Sequence, residues 1–145
     1  MDITKVSLKK KRILVVDDEL EILETVEDLL LDEVAGVDCA QSYDKAVALL
    51  ERNFYDLAVF DLMGVRGLDL VRDYGRTVRC VVLTGQVVAP VTLSWLTDHG
   101  AKAYLPKPDI VDLTHCLRVV TSVSHSMELW NSVLQVKKRK AKEKK

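Results

Sequence analysis

Cysteine is scarce in this sequence. Three occur in 145 residues (Cys39, Cys80 and Cys116), odd in number, far apart and with no CxxC pair. That spacing excludes a disulfide framework and offers no zinc-ligand pattern. Cys80 and Cys116 fall inside apolar patterns, where a thiol serves as a small buried hydrophobe. Long apolar runs are missing as well: none approaches the ~18 residues that span a bilayer. The opening Met1-Asp2-Ile3-Thr4-Lys5 has neither the apolar core nor the small-residue cleavage site of a signal peptide. A reduced, cytoplasmic protein with no membrane insertion is the expectation. No internal repeat occurs, and the one biased stretch is a charged C-terminal run.

What is present is an ordinary globular composition, 48% apolar and 30% charged, long enough for one compact domain. The formal net charge of −1 conceals a strong segregation. Residues 1–12 carry five basic groups against Asp2, and residues 137–145 carry seven against Glu143. Between them lie nine basic groups against twenty acids. An acidic body therefore sits between two basic ends.

Two kinds of segment alternate along that body. Apolar or β-branched runs occur at Ile13-Leu14-Val15-Val16, Leu57-Ala58-Val59-Phe60 and Cys80-Val81-Val82-Leu83, with weaker ones at Val37 to Ala40 and Ala103-Tyr104-Leu105. Continuous rather than alternating apolarity predicts strands covered on both faces. Helical spacing links Leu20, Leu23, Val26, Leu30 and Leu31, then Ala46, Val47, Leu49 and Leu50, then Leu68 to Tyr74. A fourth helix is predicted from Pro90 to His99, with Pro90 in its first turn and Gly100 past its end. A fifth starts near Asp109 or Asp112. Five strands alternating with five helices predict an α/β doubly wound fold around a parallel sheet.

Open parallel sheets bind ligands outside the carboxyl ends of their strands. Here those ends read Asp17-Asp18-Glu19, Asp61, Thr84-Gly85 and Pro106-Lys107-Pro108. Carboxylates brought this close repel one another, and a cation resolves the repulsion. All-oxygen ligation suits Mg²⁺ or Mn²⁺. Lys107 and Thr84 then read as partners for an anionic group. Taken singly, each has a plainer explanation. Asp17 and Asp18 would cap the first helix, Asp61 and Thr84 would be turn residues, and Tyr104 a half-buried strand aromatic.

In order, these four strand ends resemble the receiver domain of two-component response regulators, over residues 12–122. The resemblance implies a flavodoxin-like five-stranded sheet in the order 2-1-3-4-5. It implies that Asp61 is the phosphoacceptor, taking a phosphoryl group from a sensor histidine kinase or phosphotransfer protein. Asp18, with Asp17 assisting, would hold the metal together with Asp61 and the backbone carbonyl of Met63. Lys107 and Thr84 would contact phosphoryl oxygens. Thr84 and Tyr104 would form the switch that reshapes the face of helix 4, strand 5 and helix 5. The Lys107–Pro108 bond is often cis in such proteins.

The segment Asp61-Leu62-Met63-Gly64-Val65-Arg66-Gly67 departs from that pattern: it is about two residues short and lacks the usual proline. Met63 and Gln86 occupy positions that tune dephosphorylation in relatives, and an apolar Met63 predicts a long-lived phosphoryl state. About 23 residues follow Ser122, too few for an output domain, so signalling through protein contacts is expected. The division reads 1–11 basic segment, 12–122 receiver, 123–136 extension of the fifth helix and 137–145 disordered basic tail. Leu113, Cys116, Val120, Val123, Met127, Trp130 and Leu134 keep a 3-4 spacing. A helix to Val136 would run about 37 Å, so the stripe Val123, Met127, Trp130 and Leu134 needs a partner. A homodimer through a two-stranded coiled coil is one solution; a fold-back or another protein is the alternative. The tail predicts at most weak electrostatic contact with nucleic acid, since no aromatics interleave it. Two other readings compete: a scaffold or nucleic-acid-associated dimer with a vestigial acidic pocket, and a Mg²⁺-dependent phosphohydrolase. Against the hydrolase, Met63 stands where haloacid-dehalogenase-type enzymes place a second acid. Beyond its own phosphoryl transfer and autodephosphorylation, no conventional enzyme activity is expected.

Overall fold

The computed structural model describes residues 2–122. The stripe Val123, Met127, Trp130 and Leu134 and the tail 137–145 lie outside the described residues.

Five parallel strands pair in the order β2-β1-β3-β4-β5: β1 (Arg12–Val16), β2 (Gly36–Ala40), β3 (Leu57–Phe60), β4 (Arg79–Thr84) and β5 (Ala101–Pro106). The helices between them are α1 (Leu20–Leu30), α2 (Tyr43–Arg52), α3 (Gly67–Tyr74), α4 (Pro90–Asp98) and α5 (Leu113–Ser122). This is the doubly wound, flavodoxin-like order, and the predicted strands and helices occur near their expected positions, the proposed extension of the fifth helix through 123–136 lying outside the described residues. The fifth helix is entered through a 3-10 segment, Lys107–Asp112.

Residues alternate between the two sheet faces, so the continuous apolar runs fill two cores. Ile13, Val15, Leu57, Val59, Val81 and Leu83 face α1 and α5, packing with Leu23, Val26, Leu113 and Leu117. Leu14, Val16, Ala58, Phe60, Cys80 and Val82 face the other way, onto Ala46 of α2, Leu70 and Val71 of α3 and Leu96 of α4. Nearly all of these side chains are fully buried. Such burial supplies the main driving force for the fold. In register, Val15 pairs with Cys39 and Val59, Val59 with Val81, and Val82 with Tyr104. The strands end within about two residues of one another, and their carboxyl ends form one edge.

Local chemistry fixes the helix starts. The Ser42 hydroxyl accepts the Lys45 N–H at 3.2 Å, an N-cap for α2. Pro90 opens α4 where its missing N–H costs nothing. One implied feature is corrected: every peptide bond of the described residues is trans, including Lys107–Pro108. The trans form leads directly into the 3-10 segment, where Pro108 lies in the first turn and needs no N–H donor.

Candidate functional site at the carboxyl edge of the sheet

Asp17 and Asp61 follow the two central strands directly and are anchored by the extended ladder. The Asp17 N–H donates to the Ala40 carbonyl at 3.1 Å and the Asp61 N–H to the Val16 carbonyl at 3.0 Å. Both side chains are deeply buried for carboxylates, 2% and 5% exposed. Lys107 reaches across from the end of β5. Its ammonium lies 2.9 Å from Asp17 Oδ2, 3.1 Å from Asp61 Oδ2 and 3.1 Å from Glu19 Oε1. One cation is thus shared among three carboxylates.

The sharing leaves Asp17 poorly satisfied. Its Oδ1 accepts the Glu19 N–H at 2.9 Å. Its buried Oδ2 faces the ammonium as an ion pair but accepts no directed hydrogen bond. Burial pushes the Asp17 carboxyl up to about 6, against the pull of the Glu19 N–H and of Lys107. Burial also works against the Lys107 charge, but the ion pair with Asp17 and the hydrogen bonds to Asp61 and Glu19 outweigh it and raise its pKa above the ordinary lysine value.

Carboxylate oxygens of Asp17, Asp18 and Glu19 lie within 4.8 Å of one another. An electron-rich oxygen cluster containing a buried atom without a directed donor fits a hard divalent cation. Asp61 meets this cluster through the shared lysine, and its charge also bears on Asp17. Met63 follows on the β3–α3 loop, its side chain exposed. Thr84 is fully buried at the end of β4, and its Oγ1 accepts the Gln86 N–H at 3.2 Å. The Tyr104 hydroxyl donates to the Gln86 carbonyl at 3.5 Å. Thr84 and Tyr104 therefore meet the same short loop from two strands.

The contacts of three residues escape sequence reasoning, although Glu19 and Gly67 already stand in the stretches it singles out. Glu19 grips a lysine 88 residues away, which no local pattern announces. Gly67 opens α3 so close to β3 that a Cβ there would overlap the Asp61 carbonyl and sit 2.6 Å from Leu62 Cα. Gly64, at φ +79, packs on the Asp18 carboxylate. For Gly67 the sequence does contain a clue: a glycine just before a helical pattern.

Sheets of this order, with charge gathered outside the carboxyl ends, define the flavodoxin-like α/β class. Within it, the family model of the response regulator receiver domain matches residues 13–118, and the chain belongs to that family. The chain is 38% identical over 107 residues to the alginate biosynthesis transcriptional regulatory protein AlgB of Pseudomonas aeruginosa, covering 70% of this chain and 24% of that one. It is 33% identical over 102 residues to the transcriptional regulatory protein DltR of Streptococcus agalactiae, covering 67% and 45%. The chain thus spans less than half the length of these relatives. Among solved structures, a Burkholderia pseudomallei response regulator with a phosphorylated aspartic acid, calcium ion and citrate aligns with TM-score 0.64 and 28% identity, over 72% of this chain and 64% of that one. A CheY-like receiver domain protein from Methanospirillum hungatei shares the fold at TM-score 0.63 and 24% identity, over 76% and 97%. Among the described residues no helix is long and apolar enough to cross a membrane.

Proposed function

We propose that this receiver is a phosphorylation switch in which Asp61 accepts a phosphoryl group from the phosphohistidine of a sensor histidine kinase or phosphotransfer protein. The observation that carries this reading is the shared ammonium. Lys107 holds Asp61 and Asp17 together at 3.1 and 2.9 Å, so a positive charge already stands where phosphoryl oxygens would arrive. A carboxylate oxygen of Asp61 attacks phosphorus in line, an O–P bond forms, and the P–N bond breaks with its electron pair going to the imidazole. Most of the catalysis is positioning and charge neutralisation. Asp17, Asp18, Asp61 and the Met63 carbonyl are the groups that would hold Mg²⁺ or Mn²⁺, which neutralises phosphoryl oxygens. Lys107 pairs with one oxygen and Thr84 donates its hydroxyl to another. Because the Gln86 N–H and carbonyl contact Thr84 and Tyr104 respectively, movement of Thr84 would be felt at Tyr104. The phosphorylated aspartate and calcium ion named for the Burkholderia relative support the same chemistry here.

Incubation with acetyl phosphate and Mg²⁺ should give one base-labile, hydroxylamine-sensitive phosphoryl group per chain, absent from Asp61→Asn. No adduct on the parent chain refutes the switch and favours a scaffold, and continuous turnover of phosphate esters favours a hydrolase. Output through a homodimer built on Val123, Met127, Trp130 and Leu134 is part of the proposal. It requires the full chain to sediment as a dimer and a chain ending at Ser122 as a monomer. Binding of the 137–145 tail to nucleic acid, if it contributes, should vanish with rising salt.

A further inference from the structure

We infer that Gly64 is a positioning residue, whose missing side chain is the space that the Asp18 carboxylate occupies. The inference rests on the acidic-site reading above and goes beyond it by naming what aims one of its carboxylates.

Asp18 sits on the β1–α1 loop with an exposed side chain, and no hydrogen bond of the described residues fixes its carboxylate. Rotamer freedom would normally scatter such a group. What admits it to this position is room. Gly64 lies across from it on the β3–α3 loop, and a Cβ built there would fall onto the carboxylate, with Oδ1 at only 2.8 Å. Gly64 also has φ +79, a backbone conformation costly for most L residues. Its neighbour Met63 carries the carbonyl proposed as a metal ligand, so one glycine sets both the room for Asp18 and the turn that presents that carbonyl.

The obstruction differs in kind from the one at Gly67. A Cβ at Gly67 meets the backbone of Asp61 and Leu62 just past β3, not the end of a flexible side chain. At Gly64 the obstructed atoms are the far end of a flexible, exposed side chain. Asp18 would rotate aside, the fold would survive, and the damage would fall on the oxygen cluster of Asp17, Asp18 and Glu19. Ligand misplacement of this sort weakens metal binding by about tenfold or more.

Two substitutions separate side-chain bulk from backbone strain. Gly64→Ala adds both. Gly64→Asn adds bulk but tolerates positive φ better. The test is Mn²⁺ binding to the full chain, followed by the electron paramagnetic resonance of free Mn²⁺, with Asp18→Asn alongside and urea unfolding in EDTA as the stability readout. Both Gly64 variants should lose about tenfold in Mn²⁺ affinity or more, with Gly64→Asn unfolding close to the parent midpoint. Gly36→Ala, which meets nothing within 4 Å, should bind as the parent does. If Asp18→Asn binds Mn²⁺ like the parent, the acidic-site reading fails and this inference with it. If Asp18→Asn loses affinity while Gly64→Asn keeps it, only the positioning role is overturned.

Discussion

Replacing Asp17 by asparagine should make the metal-free protein more stable, although it deletes a proposed ligand. The Asp17 carboxyl titrates near 6 instead of 3.8 because burial penalises its charge. A shift of about two units is worth about 3 kcal/mol between the two protonation states. The raised value means that the folded state keeps the proton longer than the unfolded chain. Stability from this group is therefore fullest below pH 3.8, falls as pH rises toward 6, and levels off above. At pH 7.5 the ionised side chain costs the fold about 3 kcal/mol relative to a neutral one, and at pH 4.5 about 1 kcal/mol. Asparagine removes that cost and keeps an oxygen for the Glu19 N–H. Lys107 retains Asp61 and Glu19 as partners.

The assay is urea unfolding of parent and Asp17→Asn in EDTA at pH 7.5 and 4.5, where other titrating groups cancel in the difference. The variant should be more stable by 1 to about 3 kcal/mol at pH 7.5, with most of the gain gone at pH 4.5. Added Mg²⁺ should stabilise the parent more than the variant, and that stabilisation should fade as pH drops below 6, where protons compete for Oδ2. An asparagine variant less stable than the parent at pH 7.5 in EDTA, or a difference that ignores pH, refutes the account of Asp17 as a charge held at a cost.

Lys107→Ala should do the reverse in metal-free protein, costing about 3 kcal/mol at pH 7.5 because three carboxylates lose their shared cation. Since the lysine's folded pKa is raised, its contribution is complete below the ordinary lysine value and is lost as pH climbs from there through the folded value; urea unfolding from pH 7 to 10 should show a nearly constant deficit. Met63→Asn should shorten the phosphoryl lifetime several-fold, read from decay of the acetyl-phosphate adduct, because an amide can order an attacking water that a thioether cannot; an unchanged or longer lifetime refutes this. Cys80 and Cys116 are buried and Cys39 half-buried, and burial pushes each thiol up to about 12, with the Glu27 carboxylate adding to the effect at Cys39. An aromatic disulfide reagent at pH 8 should leave all three largely unmodified in native protein and label all three in urea.

The sheet was readable because burial on two faces leaves a plain trace, and β3 (Leu57–Phe60) matches its apolar run residue for residue. Edge strands were fainter for a physical reason. β2 has four half-buried residues out of five, and β5 alternates buried with half-buried positions. Polar groups at strand ends were equally readable, since chain order alone places Asp17, Asp61, Thr84 and Lys107 on one edge. Contacts between loops were not. The grip of Glu19 on Lys107 and the packing of Gly64 on Asp18 join residues 88 and 46 positions apart, and only the sheet's register brings them together.

The β3–α3 loop shows how such contacts would shape the proposed site. Six residues, Asp61 to Arg66, join β3 to α3, and two of them take left-handed backbone: Gly64 at φ +79 and Arg66 at φ +55. For arginine this conformation is unfavourable on its own. Here its guanidinium lies 4.0 Å over the Tyr43 ring and 2.8 Å from Asp69, contacts that reach both α2 and α3. Two reversals of the chain within three residues let Gly67 come down onto the Asp61 carbonyl. The loop is oriented here by Gly67 against the Asp61 backbone, by Gly64 against the Asp18 carboxylate and by a tethered arginine. Arg66→Gly would relax the backbone but release the tether, so the Asp61 loop should exchange amide protons faster while global unfolding changes little. Slower exchange on that substitution would show that the left-handed arginine strains the loop rather than holding it.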